Sequence, residues 1–247
     1  MKILSNTKLV DRVYRMVLER EEGQQHWVTA PGQFVNIELP GRFLRRPISI
    51  CDWTETTLII IYKVVGEGTE QMSQMTEGME LNVLGPLGNG FNVNIEKMRH
   101  PLVVGGGVGV PPLYGLTKEL LKRKCRPTVV MGFNTASEVF LYDEFKALGV
   151  DVFVTTMDGT GGTKGVVTDA MEQNFILSDY FYCCGPRPMI EALKQDTMTE
   201  GQISMEERMG CGFGACVGCT IETNKGFRRV CADGPVFLKS ELVPIEN

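Results

Sequence analysis

Three cysteines, Cys211, Cys216 and Cys219, fall within nine positions in the stretch RMGCGFGACVGCT, and Cys231 follows after eleven further residues. Thiolates at that density serve as a disulfide knot, a zinc site or an iron-sulfur site. The C-x4-C-x2-C spacing matches plant-type [2Fe-2S] proteins, in which a loop wraps the cluster and a more distant cysteine closes it. The small residues suit that purpose. Gly212, Gly214, Ala215 and Gly218 let backbone N–H groups approach the sulfides, and those hydrogen bonds help set the reduction potential. Zinc, the competing reading, more often takes two C-x2-C knuckles. The gap before Cys231 is shorter than in free plant-type ferredoxins. The only histidines, His26 and His100, are remote in sequence from the cysteines, which argues against a Rieske arrangement.

The elements that must position these thiols can be read from the rhythm of the chain. Up to about residue 95 the pattern is short and alternating: VDRVYRMVLE, QFVNIEL, RPISI, TLIIIYKVV and MELNVLG, punctuated by PG, LPG, GEG and GPLGNG. Evenly spaced short strands of this kind predict a small antiparallel β-barrel. TEQMSQM, residues 69–75, predicts one short helix between them, with an anion-attracting N-terminus after Gly66-Glu67-Gly68. From HPLVVGG onward, strands alternate with helices of crossover length, which predicts a doubly wound parallel α/β domain. The segment from Gly201 carries four of the eight cysteines and is too small to fold without a staple. The fold class is therefore α+β multi-domain, with a barrel at 1–96, an α/β unit at 97–200 and a cysteine segment at 201–247.

Composition bounds the function. A net charge of −5 and a pI near 5.3 argue against a nucleic-acid surface. The start, MKILSNTKLVDR, is short of a signal-peptide core or a spanning helix, so the expected location is cytoplasmic and no membrane partner is expected. In a reducing compartment the cysteines are ligands or buried thiols rather than bridges, and the disulfide reading loses weight. Cys51, Cys125 and Cys183 read as core residues, and the methionines as core packing.

Two loops have nucleotide-binding chemistry. GGGVGVPPL, with Gly105, Gly106, Gly107 and Gly109, follows an apolar strand and opens a helix, where a doubly wound sheet binds pyrophosphate. It lacks the G-x-G-x-x-G register, and alone it serves equally well as a tight turn. A second element, Cys184-Gly185-Pro186, ends the strand DYFYCC and begins another helix, so both loops should face one crevice. In the barrel, Arg45-Arg46-Pro47-Ile48-Ser49 sets two arginines in an apolar run. The run is either an exposed edge with solvated charges or a site where a guanidinium meets a diphosphate while Ser49 meets a flat heterocycle.

R-P-x-S, the glycine-proline loop and C-G-P, in this order, resemble the ferredoxin-NADP reductase superfamily. GPLGNGF, GGGVGVPPLY, S-M-E-E-R-M-G-C-G-x-G-A-C and C-A-D-G-P-V-F narrow the likeness to the electron-transfer subunits of class 1B, NAD-dependent dihydroorotate dehydrogenases, over essentially the whole chain. The resemblance implies FAD in the barrel, NAD in the α/β domain and a [2Fe-2S] cluster on Cys211, Cys216, Cys219 and Cys231. By that likeness Arg46, Pro47, Ile48 and Ser49 contact the flavin, Ile61, Tyr62 and Lys63 continue its site, and Gly68 and Thr69 hold its phosphates. Where the superfamily has tyrosine in R-x-Y-S this chain has Ile48, and Tyr62 is the candidate stacking partner. NAD would meet Gly105, Gly106, Gly107, Gly109, Cys184, Gly185 and Pro186.

The implied partner is a catalytic, FMN-containing dihydroorotate dehydrogenase subunit in a heterotetramer of two of each. Electrons would enter through the cluster and leave as hydride to NAD, and the proton abstraction would belong to the partner, so no catalytic acid or base is expected in this chain. A cluster flanked by Phe213 and Val217 suits docking on that subunit. Asn134, Thr135, Ala136, Ser137 and Glu138 offer no arginine for a 2′-phosphate and one acid to repel it, which favours NAD over NADP. Two alternatives remain: the small subunit of a ferredoxin or sulfide NAD(P) oxidoreductase, and a zinc-stapled nucleotide sensor without redox turnover.

Overall fold

The computed structural model describes residues 1–21, 23 and 27–244, so His26 lies outside the described residues. The first six strands are β1 (Lys2–Val10), β2 (Val13–Glu19), β3 (Phe34–Ile37), β4 (Arg46–Trp53), β5 (Thr57–Lys63) and, after the short helix α1 (Glu67–Ser73), β6 (Val83–Leu87). They form one antiparallel sheet in the order β1-β2-β5-β4-β3-β6. Its two ends meet, because Ile3 N–H donates to the Met79 carbonyl at 2.8 Å and Leu81 N–H to the Met1 carbonyl at 2.9 Å. This is the expected barrel. Strand β1 is not among the expected strands, since KILSNTKLV mixes polar residues on both faces and alternates poorly. The helix starts two residues earlier than TEQMSQM suggests, because Gly66 is its N-cap.

Side chains alternate on these strands, and the alternation assigns their faces. On β5, Leu58, Ile60 and Tyr62 enter the barrel core, whereas Ile59 and Ile61 belong to a second core shared with the α/β unit. The barrel is docked firmly on that unit. Lys118 Nζ bridges both carboxylate oxygens of Asp52 at 2.7 Å, and a Cβ on Gly115 would lie 2.7 Å from the Trp53 ring.

The second part runs β7 (Pro101–Gly106), α2 (Pro111–Lys122), β8 (Thr128–Phe133), α3 (Tyr142–Ala147), β9 (Asp151–Thr156), β10 (Thr163–Lys164), α4 (Val167–Gln173), β11 (Tyr180–Cys184), α5 (Arg187–Asp196) and β12 (Gly201–Ser204). The hairpin β13 (Thr220–Thr223) and β14 (Gly226–Arg229) follows, then β15 (Val236–Leu238). The large sheet has the order β10-β9-β8-β7-β11-β12-β15. All of its pairings are parallel except that of β15 with β12. The strand order reverses between β7 and β11, which makes the crevice at their carboxyl ends the topological switch point.

A boundary at 200/201 differs from the observed fold. Strands β12 and β15 complete the nucleotide sheet, and the cysteine loops and β13–β14 hairpin are inserted between them. The segment needs no hydrophobic core of its own, because Cys219, Val230 and Cys231 pack with Phe34, Phe181 and Ile203 in one apolar cluster.

Candidate functional site

The four cysteines come together as two pairs. Cys216 N–H donates to Cys211 Sγ at 3.4 Å, and Cys231 N–H donates to Cys219 Sγ at 3.4 Å. Two thiols side by side, twice over, match the ligand count of a binuclear cluster, two thiolates per iron, so the donor set fits [2Fe-2S].

Desolvation works against the Cys211 thiolate. Backbone N–H groups of Cys216, Phe213 and Ala215 outweigh it and bring the thiol down to about 6. Burial, with Cys219 beside it, pushes Cys231 up to about 12. Cys51 and Cys183 are pushed up by burial, and Cys125 too, consistent with inert core residues.

Cys231 is placed by its surroundings. Arg229 donates from Nη1 to the Gly214 carbonyl, and its backbone N–H donates to Asp233 Oδ2 at 2.7 Å, so one residue ties the cysteine loop to the turn carrying the fourth thiol. GPLGNGF meets that turn from the barrel. Asn89 Nδ2 donates to the Ala232 and Asp233 carbonyls, and a Cβ on Gly88 would lie 2.6 Å from Pro235 Cδ. These contacts bring together two stretches that are far apart in sequence.

At the switch point lies a cavity of about 700 Å³ whose wall includes Gly106, Gly107, Gly109, Gly185 and Pro186. A Cβ on Gly109 would sit 2.3 Å from the Cys184 carbonyl oxygen, so glycine allows the two loops to touch. Gly105 and Cys184 are different: they lie beneath this wall, with Gly105 against Val110 and Leu113, and the Cys184 thiol buried and raised well above its usual range. Sequence reasoning misses Thr155, Gly165, Val166, Met189 and Glu206 in the wall. The glycine before α4 is the signal that could reveal a third loop at the same sheet edge. His100, by contrast, precedes β7 at the opposite edge.

In the barrel, Ser49 pairs with Phe34, Ile48 with Val35 and Pro47 with Asn36. Ile48 shares the face of Val35 and packs against the barrel core. Tyr62 does not offer its ring outward: it is fully buried, stacks on Tyr14 at 5.9 Å and donates to Asn6 Oδ1 at 3.0 Å. Burial is also what pushes its hydroxyl up to about 12. Its neighbours differ, Ile61 facing the α/β unit and Lys63 lining the cavity. Gly68 lies under Arg46, where a Cβ would be 2.2 Å from Nε. The Thr69 hydroxyl is occupied at the helix start, accepting from Val65 N–H at 2.9 Å and donating to the Gly66 carbonyl at 3.0 Å. Only its backbone is left for an anion.

A barrel joined to a doubly wound sheet, with a crevice between the glycine and C-G-P loops, defines a reductase of the ferredoxin-NADP reductase type carrying an added iron-sulfur segment. A ferredoxin NADP⁺ reductase from Neisseria gonorrhoeae shares the fold, with a TM-score of 0.67 at 16% identity over 78% of this chain and 87% of that one. The structure of an NADH-dependent reduced ferredoxin-NADP oxidoreductase is similar at a TM-score of 0.88 and 31% identity, covering 98% of this chain and 89% of that one. The family model for the iron-sulfur cluster binding domain of dihydroorotate dehydrogenase B matches residues 206–243, and that of the oxidoreductase NAD-binding domain matches residues 103–195. The dihydroorotate dehydrogenase B (NAD(+)) electron transfer subunit of Fusobacterium nucleatum is 44% identical over 96% of this chain and 95% of its own length.

The chain belongs to the family of electron-transfer subunits of NAD-dependent dihydroorotate dehydrogenase B. It is an oxidoreductase subunit with an NAD-binding domain and an iron-sulfur cluster binding domain.

Proposed function

We propose that the chain receives electrons at its cluster from a catalytic subunit oxidising dihydroorotate and delivers them at its sheet crevice to NAD. When bound, the cluster exchanges single electrons and the flavin converts between single electrons and hydride. The residues of this chain bind and orient these groups. The observation that carries the reading is the two-by-two arrangement of Cys211, Cys216, Cys219 and Cys231 beside barrel strand β3, which pairs along its length with the strand that carries Arg46 to Ser49. The four thiolates hold the two irons.

Arg46 and the Gly68-Thr69 backbone take the flavin diphosphate. Pro47, Ser49, Ile61 and Lys63 line the ring site, with Ile48 and Tyr62 supporting it from within the barrel. Gly106, Gly107, Gly109, Gly185 and Pro186 line the NAD site, with Gly105 and Cys184 as its floor. Units at 1–96 and 97–200 plus the cluster segment describe the division of labour, with β12 and β15 lent to the sheet. The partner carries FMN, and the assembly is a cytoplasmic heterotetramer of two of each. Exposed Phe213, Val217 and Phe227 around the cluster segment support docking there. No helix among the described residues is long and apolar enough to cross a membrane.

Two residues test the binding roles. Arg46→Ala removes a charge-assisted hydrogen bond worth about 1.5–3 kcal/mol, so the FAD dissociation constant should rise about 10- to 100-fold, measured by flavin fluorescence on dilution. Unchanged retention would remove Arg46 from the site. Glu138 accepts from Asn134 N–H at 3.4 Å and from Nδ2 at 2.9 Å, both at Oε2, which leaves Oε1 for a ribose hydroxyl. Relieving its repulsion of a 2′-phosphate is worth on the order of 1 kcal/mol, so Glu138→Gln should raise kcat/KM with NADPH about fivefold relative to NADH. A wild-type preference for NADPH would overturn the NAD assignment. The experiment for the whole reading is copurification with the catalytic subunit and dihydroorotate-dependent NAD reduction by the complex, which a colourless, zinc-bearing protein would refute.

A further inference from the structure

On β3, Val35 and Ile37 enter the barrel core, so Phe34 and Asn36 share the opposite face, and Phe34 packs in the apolar cluster that contains Cys219 and Cys231. Asn36 is 1% exposed and donates from Nδ2 to the backbone carbonyl of Cys211 at 3.2 Å. Gly212, at φ +81°, lies directly against it, for a Cβ there would be 2.4 Å from Asn36 Nδ2. On its other side Asn36 pairs with Pro47 in the β3–β4 ladder, in the middle of the run from Arg46 to Ser49. One buried amide thus joins the proposed flavin strand to the peptide that follows the first cluster cysteine.

Burial alone does not favour an amide here. Asn36 Oδ1 is buried with no hydrogen-bond partner, and an unpaired buried acceptor costs about 1–3 kcal/mol. Leucine has nearly the same shape and removes that unpaired acceptor, but it also takes the donor from the Cys211 carbonyl. The amide supplies something that an apolar side chain cannot, namely a donor fixed on the Cys211 carbonyl.

We propose that Asn36 is a positioning residue for the cluster: by holding the Cys211–Gly212 peptide it keeps the following loop folded back, with Cys216 N–H on Cys211 Sγ, and so sets the cluster's reduction potential relative to the flavin. The inference rests on the [2Fe-2S] reading given above. N–H···S hydrogen bonds favour the reduced cluster, which carries the greater negative charge, so they raise its potential. Losing the clamp loosens them and lowers it. The barrel thereby senses and adjusts the segment inserted in the other domain.

The test is an anaerobic redox titration of the complex with its catalytic subunit, followed by electron paramagnetic resonance and flavin absorbance, with wild type, Asn36→Leu and Asn36→Ser compared at verified iron and FAD content. Asn36→Leu should shift the electron-sharing equilibrium from cluster toward flavin about tenfold, or 59 mV for one electron, while its thermal stability changes little, the lost hydrogen bond and the relieved acceptor offsetting each other. Asn36→Ser, whose hydroxyl can reach the carbonyl through a water, should fall between the two. If Asn36→Leu does not retain iron, the comparison of Asn36→Ser with wild type decides. A cluster potential equal to wild type in the deciding variant overturns the proposal, since a merely structural residue would change stability and leave the potential alone. Absence of any paramagnetic signal in reduced wild type would instead refute the [2Fe-2S] reading itself.

Discussion

Cys219→Ser is expected to remove the cluster and to cut dihydroorotate-dependent NAD reduction by the complex by more than about 100-fold, beyond the 10- to 100-fold that outer-shell changes around a metal typically cost. Cys219 is buried, its sulfur receives Cys231 N–H, and its carbonyl accepts Val230 N–H at 2.9 Å, so it anchors the second thiol pair on the β13–β14 side. A hydroxyl there is a poor ligand for iron. The informative part is what survives. NADH oxidation by a soluble dye that takes electrons from the flavin needs only the barrel and the sheet crevice, and it should stay within about twofold of wild type because the change lies outside both sites. Iron analysis and the two assays on one preparation check this. Equal loss of both activities would mean that the substitution had disturbed the fold, and full retention of both would remove Cys219 from the electron path.

Gly109→Ala should act at the other end of the path. The added methyl would lie 2.3 Å from the Cys184 carbonyl oxygen and 2.7 Å from the Gly185 Cα. Both are backbone atoms that cannot swing aside as a side chain tip could, so the glycine loop must move away from the C-G-P loop. Overpacking of this kind costs about 1–3 kcal/mol. Expressed at the nucleotide site it corresponds to a rise in KM for NAD of about 5- to 100-fold, with the cluster signal and FAD content unchanged. Steady-state kinetics with varied NAD is the measurement. An unaltered KM would show that the loops do not have to touch for nucleotide binding.

The two substitutions fall on motifs that are legible in the amino-acid sequence, and the reason is physical. A cluster demands thiolates at short fixed intervals with little side chain between them, and two loops meeting at a switch point demand glycine and proline at the ends of strands. Those requirements are local in sequence. The pairing of Cys219 with Cys231 is legible only as composition, because the turn from Arg229 to Asp233 that carries Cys231 is held by Gly214 and Asn89, which lie on separate segments. The cysteine segment reads as freestanding for a similar reason. GQIS and VFL are too short to announce themselves as strands of a sheet begun a hundred residues earlier.

Tyr62 shows a different limit. TLIIIYK is apolar on both faces because one side fills the barrel and the other meets the α/β unit, so alternation cannot say which way the ring points. Its burial against Tyr14 leaves Ile61 and Lys63 as the outward residues. Asn36 gives no sign at all. A lone asparagine in QFVNIEL carries no signal until the strand pairing sets it beside Pro47 and under Cys211.

The central claim is that Cys211, Cys216, Cys219 and Cys231 hold a binuclear iron cluster in electronic communication with FAD. Anaerobic addition of dihydroorotate to the complex, at verified iron and flavin content, tests it most directly. The account predicts partial bleaching of the flavin together with a paramagnetic signal integrating toward one spin per chain, both reversed by NAD. Complete iron occupancy with no signal even under strong chemical reduction, or a signal that NAD leaves untouched, would contradict it.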